Sequence, residues 1–484
     1  MTDNDLTPVE QTDRQHDRRL ILIIGFLLSL AALYFVKTFL LSEPVVYNDI
    51  TQHFKYGSIG SEPVNGIPYW IWKVLPEMFP EKLPGSGYAS LGFIYEPGKD
   101  LPIGISKRRL TVDRVGLNCA VCHTGTVRES ASSPPRIVLG MPANTVQLQN
   151  YVRFLTDCAA DGRFTADNVV RQIETHIHLN FIDRLIYRQA VWLTREGLLQ
   201  RKQLLAFMDT RPDWGPGRVD TFNPYKATQF NFPMQDDPTV GTTDLPSIWN
   251  QKPRDGMHLH WDGDNTSLAE RDKSAALGAG VTPVSIDLRS ITRIEDWIRN
   301  VLQPPAYPYP VNAALAAKGA VIYKEQCSHC HAFEGTDVGQ VTALSEINTD
   351  PSRLNSFTYE LAANMNTLFA GYPYRFSHFQ KTTGYANVPL DGVWLRGPYL
   401  HNGSVPSLRD LLDPPESRPK VFYRGCNILD REKGGFVSDM PEENGNKYFR
   451  YDTTLPGNGN GGHLYGTRLA PADKEALVEY LKTL

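Results

Sequence analysis

Two short segments carry the residues with the clearest chemistry. Cys119-Ala120-Val121-Cys122-His123 and Cys327-Ser328-His329-Cys330-His331 each set two cysteines three positions apart with a histidine directly after. Two thiols on one turn of chain can add to the paired vinyl groups of a porphyrin, and the next imidazole then points at the iron. The spacing is therefore the attachment signature of c-type haem. A zinc site would pair each CxxC with another CxxC or a downstream histidine pair, and neither copy is so placed. A redox dithiol does not need the trailing histidine. The reading is two covalently attached haems c, with Cys119, Cys122, Cys327 and Cys330 as anchors and His123 and His331 as proximal iron ligands. Cys158 and Cys426 remain, either bridged or buried and reduced.

Function then turns on the opposite face of each iron. A sixth protein ligand makes an electron-transfer haem, whereas an open position admits dioxygen or peroxide. For the second haem the candidates are His401, Tyr423 and His463. His463 sits in a Gly/Asn loop, Gly459-Asn460-Gly461-Gly462-His463, which lets backbone approach closely and aim a ring. For the first haem no histidine occurs between Thr124 and Thr175. Met141 is the soft candidate there and ranks below an open site.

The elements that must position these residues follow from the rest of the chain. Its 484 residues suffice for two or three domains, and a net charge of −4 gives no case for nucleic acid. Arg14, Arg18 and Arg19 lead into an apolar run from Leu20 to Val36, extended by Phe39, Leu40 and Leu41. That run is near the length needed to span hydrocarbon and ends without an Ala-x-Ala cleavage site, so it reads as an uncleaved anchor. Basic residues ahead of it hold the tail in the cytoplasm. The expected location is the inner membrane, crossed once, with the haem domains in the periplasm.

Beyond the anchor, residues 45–110 form an aromatic, loop-rich arm expected to pack against the haem domains. Apolar stripes mark helices over 144–158 and 166–208, with Thr165 an N-cap. Pro212 to Asp255 reads as a long structureless stretch. Asn312–Gln326 and Asp473–Leu484 read as the terminal helices of a cytochrome c fold, crossing at Gly319. The fold class expected is mainly α: two cytochrome c-like haem domains with long loops and an N-terminal transmembrane helix. The division is a 1–17 tail, an 18–41 anchor, the 45–110 arm, a first haem domain at 111–305 and a second at 306–484.

The two haem motifs, Leu259-His260-Trp261-Asp262-Gly263 and Pro398-Tyr399-Leu400-His401-Asn402-Gly403-Ser404 resemble the bacterial di-haem cytochrome c peroxidase superfamily. Phe54-Lys55-Tyr56-Gly57-Ser58, Gly66-Ile67-Pro68-Tyr69-Trp70, Trp394-Leu395-Arg396-Gly397-Pro398 and the His463 loop bring it closest to the di-haem rubber oxygenase group. The resemblance implies that Trp261 relays electrons between the haems. It implies His463 as distal ligand of a six-coordinate second haem, with Tyr423 the alternative and His401 behind the ligand. Two departures stand out. The peroxidases carry a distal histidine soon after the first motif, absent here. They also carry a carboxylate some twenty residues past the tryptophan, where this chain has Val281; Glu270 is nearer in sequence. The oxygenases favour an aromatic over the open haem, a role open to Tyr69, Trp70 or Phe93.

The expected activity is oxidoreduction, with dioxygen or peroxide at the His123 haem and electrons stored or relayed at the His331 haem. The donor would be a small redox protein or a quinol-linked carrier. An electron carrier with both irons six-coordinate is the alternative, and a haem-based gas sensor the third.

Overall fold

The computed structural model describes residues 8–36 and 44–484, with the backbone alone for residues 8–15. Helix α1 (Pro8–Phe35) contains the apolar segment His16–Phe35, none of which is buried. Among the described residues it is the one helix long and apolar enough to cross a membrane. Phe39, Leu40, Leu41 and the first seven residues of the tail lie outside the described residues.

The aromatic arm is ordered core. Asp49 caps α2 (Ile50–Tyr56) by accepting from the Thr51 N–H at 2.6 Å. There follow α3 (Glu62–Asn65), β1 (Ile67–Pro68) and α4 (Tyr69–Met78), then β2 (Ile105–Arg109) and β3 (Asp113–Leu117). The three strands form one antiparallel sheet in the order β1-β3-β2. Helix α4 buries Ile71, Trp72, Val74 and Leu75. Trp72 stacks on Tyr88 at 4.2 Å and donates to the Tyr151 hydroxyl at 3.1 Å. Burying an indole requires such a partner for its N–H.

After the first CxxCH come a hairpin, β4 (Thr124–Val127) and β5 (Arg136–Leu139), and three helices, α5 (Leu148–Ala160), α6 (Ala166–Glu174) and α7 (Phe181–Leu204). Thr165 caps α6 through Asn168 N–H, and Asn180 caps α7 through Asp183 N–H. The stretch read as structureless is not: it holds β6 (Arg218–Asp220), α8 (Asn223–Gln229) and β7 (Thr242–Asp244), with β6 and β7 antiparallel. Its order comes from buried ion pairs that composition does not reveal. Lys226 is fully buried, its ammonium bonded to Asp237 at 2.7 Å and to the Asn223 side-chain amide oxygen at 3.0 Å.

Helices α9 (Leu268–Gly278) and α10 (Leu288–Asn300) lead to α11 (Ala313–Gln326) and the short α12 (Ser328–His331). The remainder runs β8 (Val341–Ala343), α13 (Leu344–Ile347), α14 (Ser352–Ser356), α15 (Tyr359–Met365), β9 (Gly384–Ala386), α16 (Leu408–Leu411), β10 (Val421–Arg424), β11 (Glu442–Glu443), β12 (Asn446–Lys447), β13 (Phe449–Asp452) and α17 (Pro471–Leu481). The chain is mixed, 42% helical and 12% strand, which corrects the mainly α expectation. The strands belong to six small antiparallel sheets among the described residues. Each strand is five residues or shorter, too brief for a period-two pattern to stand out.

Cys158 and Cys426 are both buried and unbridged. Helices α11 and α17 cross through Gly319, where an added Cβ would stand 2.0 Å from the Ala476 carbonyl oxygen. Tyr323 and Tyr480 pack beside the crossing at 5.2 Å, over buried Leu477 and Leu481. Gly319→Ala must push α17 away and is expected to cost about 1–3 kcal/mol. The denaturant midpoint measures it, and an unchanged midpoint would show the contact contributes no stability.

Candidate haem-binding site

The first motif is held by its own entry residue. Asn118, directly after β3, accepts from the Ala120 N–H at 3.0 Å and so caps the turn Cys119–Val121. Its amide also donates to the Gly57 carbonyl at 3.0 Å, tying the motif to the end of α2. On the far side Ala143 N–H donates to Cys122 O at 3.0 Å and Gly140 N–H to His123 O at 2.8 Å. The His123 ring is anchored through Nδ1, 2.9 Å from the Pro246 carbonyl oxygen. A carbonyl can only accept, so Nδ1 carries the proton and Nε2 keeps its lone pair for a metal. Burial holds this imidazole's pKa down to about 4, so it is neutral near pH 7.

The second motif repeats the arrangement on different scaffolding. Cys327 closes α11 through its N–H to Tyr323 O, and α12 carries the chain to His331. His331 Nδ1 donates to Val388 O at 2.7 Å, and burial lowers its pKa. Burial pushes the thiols of Cys119, Cys122 and Cys327 up to about 12 and raises that of Cys330. Sulfurs in such surroundings favour an uncharged state over a thiolate. Among the described residues, the one His/Cys/Asp/Glu group tight enough to hold an ion is His329, Cys330 and Asp337, which does not join the two motifs.

His463 faces His331, their ring centroids 6.2 Å apart and planes at 41°. Two imidazoles bound on opposite sides of one metal at about 2 Å each would set their centroids about 6 Å apart, so the gap has the size of an iron. The loop enforces the placement. Gly462 has φ +72°, and a Cβ there would stand 2.3 Å from the Asn348 backbone. His463 itself has φ +48°, held by its N–H on Ile347 O at 2.8 Å. Arg418 clamps the loop by donating to the carbonyls of Asn460, Gly462 and His463 at 2.6, 2.9 and 3.2 Å. Burial, then the neighbouring His331, hold the His463 pKa down to about 3. Its Nδ1 is buried without a hydrogen-bond partner, so the ring is not serving a protein polar group there.

The other candidates lie elsewhere. Tyr423, on β10, lines a crevice with Pro142, Asn144, Asp244, Arg396 and Cys426, against the strand return of the first motif. His401 stacks on Tyr385 at 4.1 Å, its Nε2 buried and unpartnered. Met141 is fully buried with its sulfur against Gly125. Glu270 is consumed by Asn265, Ser377 and His378, which bond both its oxygens. Val281 is buried. Of the arm aromatics, Trp70 stacks on His176, Phe93 packs edge-on to Tyr88 and Tyr151, and Tyr69 bonds Asp100.

Trp261 lies between the two histidine supports. Its indole N–H donates to Asp244 O at 2.8 Å at the end of β7, two residues before Pro246. Its own carbonyl accepts from Ala386 N–H at 2.8 Å at the end of β9, two residues before Val388. Asp262 beside it is buried in an ion pair with Arg353 at 2.8 Å, and burial raises its pKa to about 6. Sequence reasoning missed Pro246, Val388, Arg353 and Arg418, and no local signal marks them.

Burial depresses the His401 pKa well below its ordinary value near 6.5. Below that value the unfolded chain binds a proton that the folded chain refuses, so this residue contributes stability that falls as the solution is acidified from pH 7. His401→Phe keeps the stack on Tyr385 and removes the proton. Its unfolding free energy, from denaturant titration, is expected to fall less than the wild type's between pH 7 and 5, by up to about 1.4 kcal/mol per pH unit. Parallel acid limbs would reject the role.

Comparison with known proteins adds three findings. The family described as RoxA-like, cytochrome c-like matches residues 384–423, the segment that holds Val388, His401 and Tyr423. Two uncharacterized proteins of Sinorhizobium fredii (strain NBRC 101917 / NGR234) are similar over longer spans. One, y4iM, is 31% identical over 51% of this chain, which spans 65% of that protein's length. The other, y4iJ, is 30% identical over 81% of this chain and 83% of its own length.

Proposed function

The chain belongs to the same protein family as y4iJ of Sinorhizobium fredii, and from that footing we propose that it is a membrane-anchored periplasmic two-haem c-type cytochrome acting as an oxidoreductase. The RoxA-like segment supports a haem cytochrome linked to the rubber oxygenase-like group, and the apolar N-terminal helix supports the anchor. Cys119 and Cys122 would hold one haem c and Cys327 and Cys330 the other, through thioether bonds, with His123 and His331 beneath the irons. Bound there, the group supplies one-electron exchange, and dioxygen or peroxide binding where a position stays open.

The observation that carries the reading is asymmetry. His463 stands opposite His331 across an iron-sized gap. Among the described residues no second imidazole ring pairs with His123 in that way. The second site is thus suited to electron storage and relay, the first to a small oxidant. The chain's own residues do the positioning. Pro246 and Val388 fix the imidazole tautomers, and Arg418 holds the His463 loop. Trp261, bonded to both supporting strands, offers a conjugated ring on the path between them. Glu270 is occupied by hydrogen bonds, so proton delivery at the first site is not assigned to it. The donor would be a small redox protein or a quinol-linked carrier.

Electron paramagnetic resonance of the oxidised protein is the test, with mass spectrometry expected to find two haem adducts. One low-spin and one high-spin iron are expected, and the high-spin signal should change on adding peroxide or dioxygen to the reduced form. Two low-spin irons inert to both would make the protein an electron carrier. His463→Ala is expected to turn the second haem high-spin, and unaltered spectra would move that ligand elsewhere. Trp261→Phe should slow electron equilibration between haems several-fold in flash reduction, and equal rates would remove the relay.

A further inference from the structure

Helix α7 buries one flank and leaves another apolar flank uncovered. Tyr187, Val191 and Leu198 face the core. Phe181, Ile182, Leu185, Trp192 and Leu193 are 81%, 66%, 62%, 56% and 52% exposed. Scattered exposed side chains need no explanation, but five large ones on the first thirteen residues of one helix form a stripe that calls for a cover. The stripe has polar edges. Arg184 and Arg188 pair with Glu174 and Asp167 at 2.5 Å, and each side chain remains about half exposed. Aromatic and aliphatic residues on one side with arginines along the edge are the composition of helices that lie in the headgroup region of a bilayer.

The position of the anchor selects the lipid surface over a protein partner. Tyr34, in the last turn of α1, is an electrostatic neighbour of the Arg114 guanidinium. Arg114 donates to Pro63 O at 3.3 Å. Two residues on, Asn65 accepts from Arg201 at 3.2 Å, in the last turn of α7. Val64, between them, is 45% exposed. The end of the apolar helix and the end of α7 therefore share one side of the protein. Only about 12 Å of helix separates Arg201 from the exposed stripe. A bilayer crossed by α1 must pass close to that side.

We infer that the exposed flank of α7 lies in the membrane interface, holding the body of the protein against the bilayer that α1 crosses. This rests on the anchor reading, and the consequence is a fixed face toward lipid-borne partners. A diazirine phospholipid is carried in vesicles of phosphatidylcholine with phosphatidylglycerol, into which the full chain is reconstituted. The carbene released on illumination labels what touches the acyl region, and peptides are read by mass spectrometry. Label is expected on the α1 peptide and on the peptide of residues 181–193. In the variant Phe181→Ser, Leu185→Ser, Trp192→Ser the α7 label should fall at least several-fold with the α1 label unchanged. These side chains are exposed, so the variant should fold, as circular dichroism can check. Label on α1 alone overturns the docking and leaves the anchor standing. Label on neither overturns both. An unlabelled α7 in a protein that is dimeric by light scattering, with the variant monomeric, overturns the inference in favour of a second copy as the cover.

Discussion

The imidazoles of His123 and His331 are each held by one backbone carbonyl, and the rest of the candidate site depends on those two bonds. Pro246 O and Val388 O take the Nδ1 proton of His123 and His331 and thereby leave Nε2 able to bind iron. A hydrogen bond alone contributes only about 1 kcal/mol net. Its larger effect here is selection: with Nδ1 committed, one tautomer and one ring orientation remain. Both carbonyls sit two residues past a short strand, β7 and β9, so those strands are the supports on which the histidines are hung.

Trp261 joins the supports. Because its indole bonds the end of β7 and its carbonyl bonds the end of β9, the spacing of the two histidines is set through one residue. The loop around it is stiffened by the buried ion pair of Asp262 with Arg353 and by a hydrogen bond between His260 Nδ1 and the Asp264 carboxylate at 2.5 Å. Removing one partner of a buried pair leaves an uncompensated charge and costs several kcal/mol. The loop is therefore rigid in a way that a solvated polar loop is not. The relay role proposed for Trp261 would need that rigidity, since transfer depends steeply on distance.

What could be read in the sequence was what is local. The CxxCH spacing, the Thr165 cap and the small residue at the α11–α17 crossing each lie within one turn or at one contact. The histidine supports did not show, because Pro246 is 123 residues from His123 and Val388 is 57 from His331. Nothing about a proline or a valine marks its carbonyl as an acceptor. The β6–β7 region read as loop because its strands are three residues long and its stability comes from buried Lys226, Arg218 and Asp244, polar types that composition assigns to solvent. Sequence favoured His463 and left Tyr423 as the alternative. The fold separates them, setting one on β10 beside the first motif and the other opposite His331.

The imidazoles also show what the chain sacrifices for this arrangement. His401 is buried and His463 half-buried, and each has a ring nitrogen shielded from solvent without a hydrogen-bond partner, a state that costs about 1–3 kcal/mol per group. A chain selected for stability alone would place phenylalanine at either position. At His401 the stack on Tyr385 recovers part of the cost through ring contact. At His463 the backbone is held at positive φ after a glycine that no other residue could replace, under an arginine that bonds three carbonyls of the loop. That much local constraint is spent on aiming one ring at His331. The metal coordination proposed for this pair would offset it, which is why the His331–His463 pair outweighs every other feature in the functional reading.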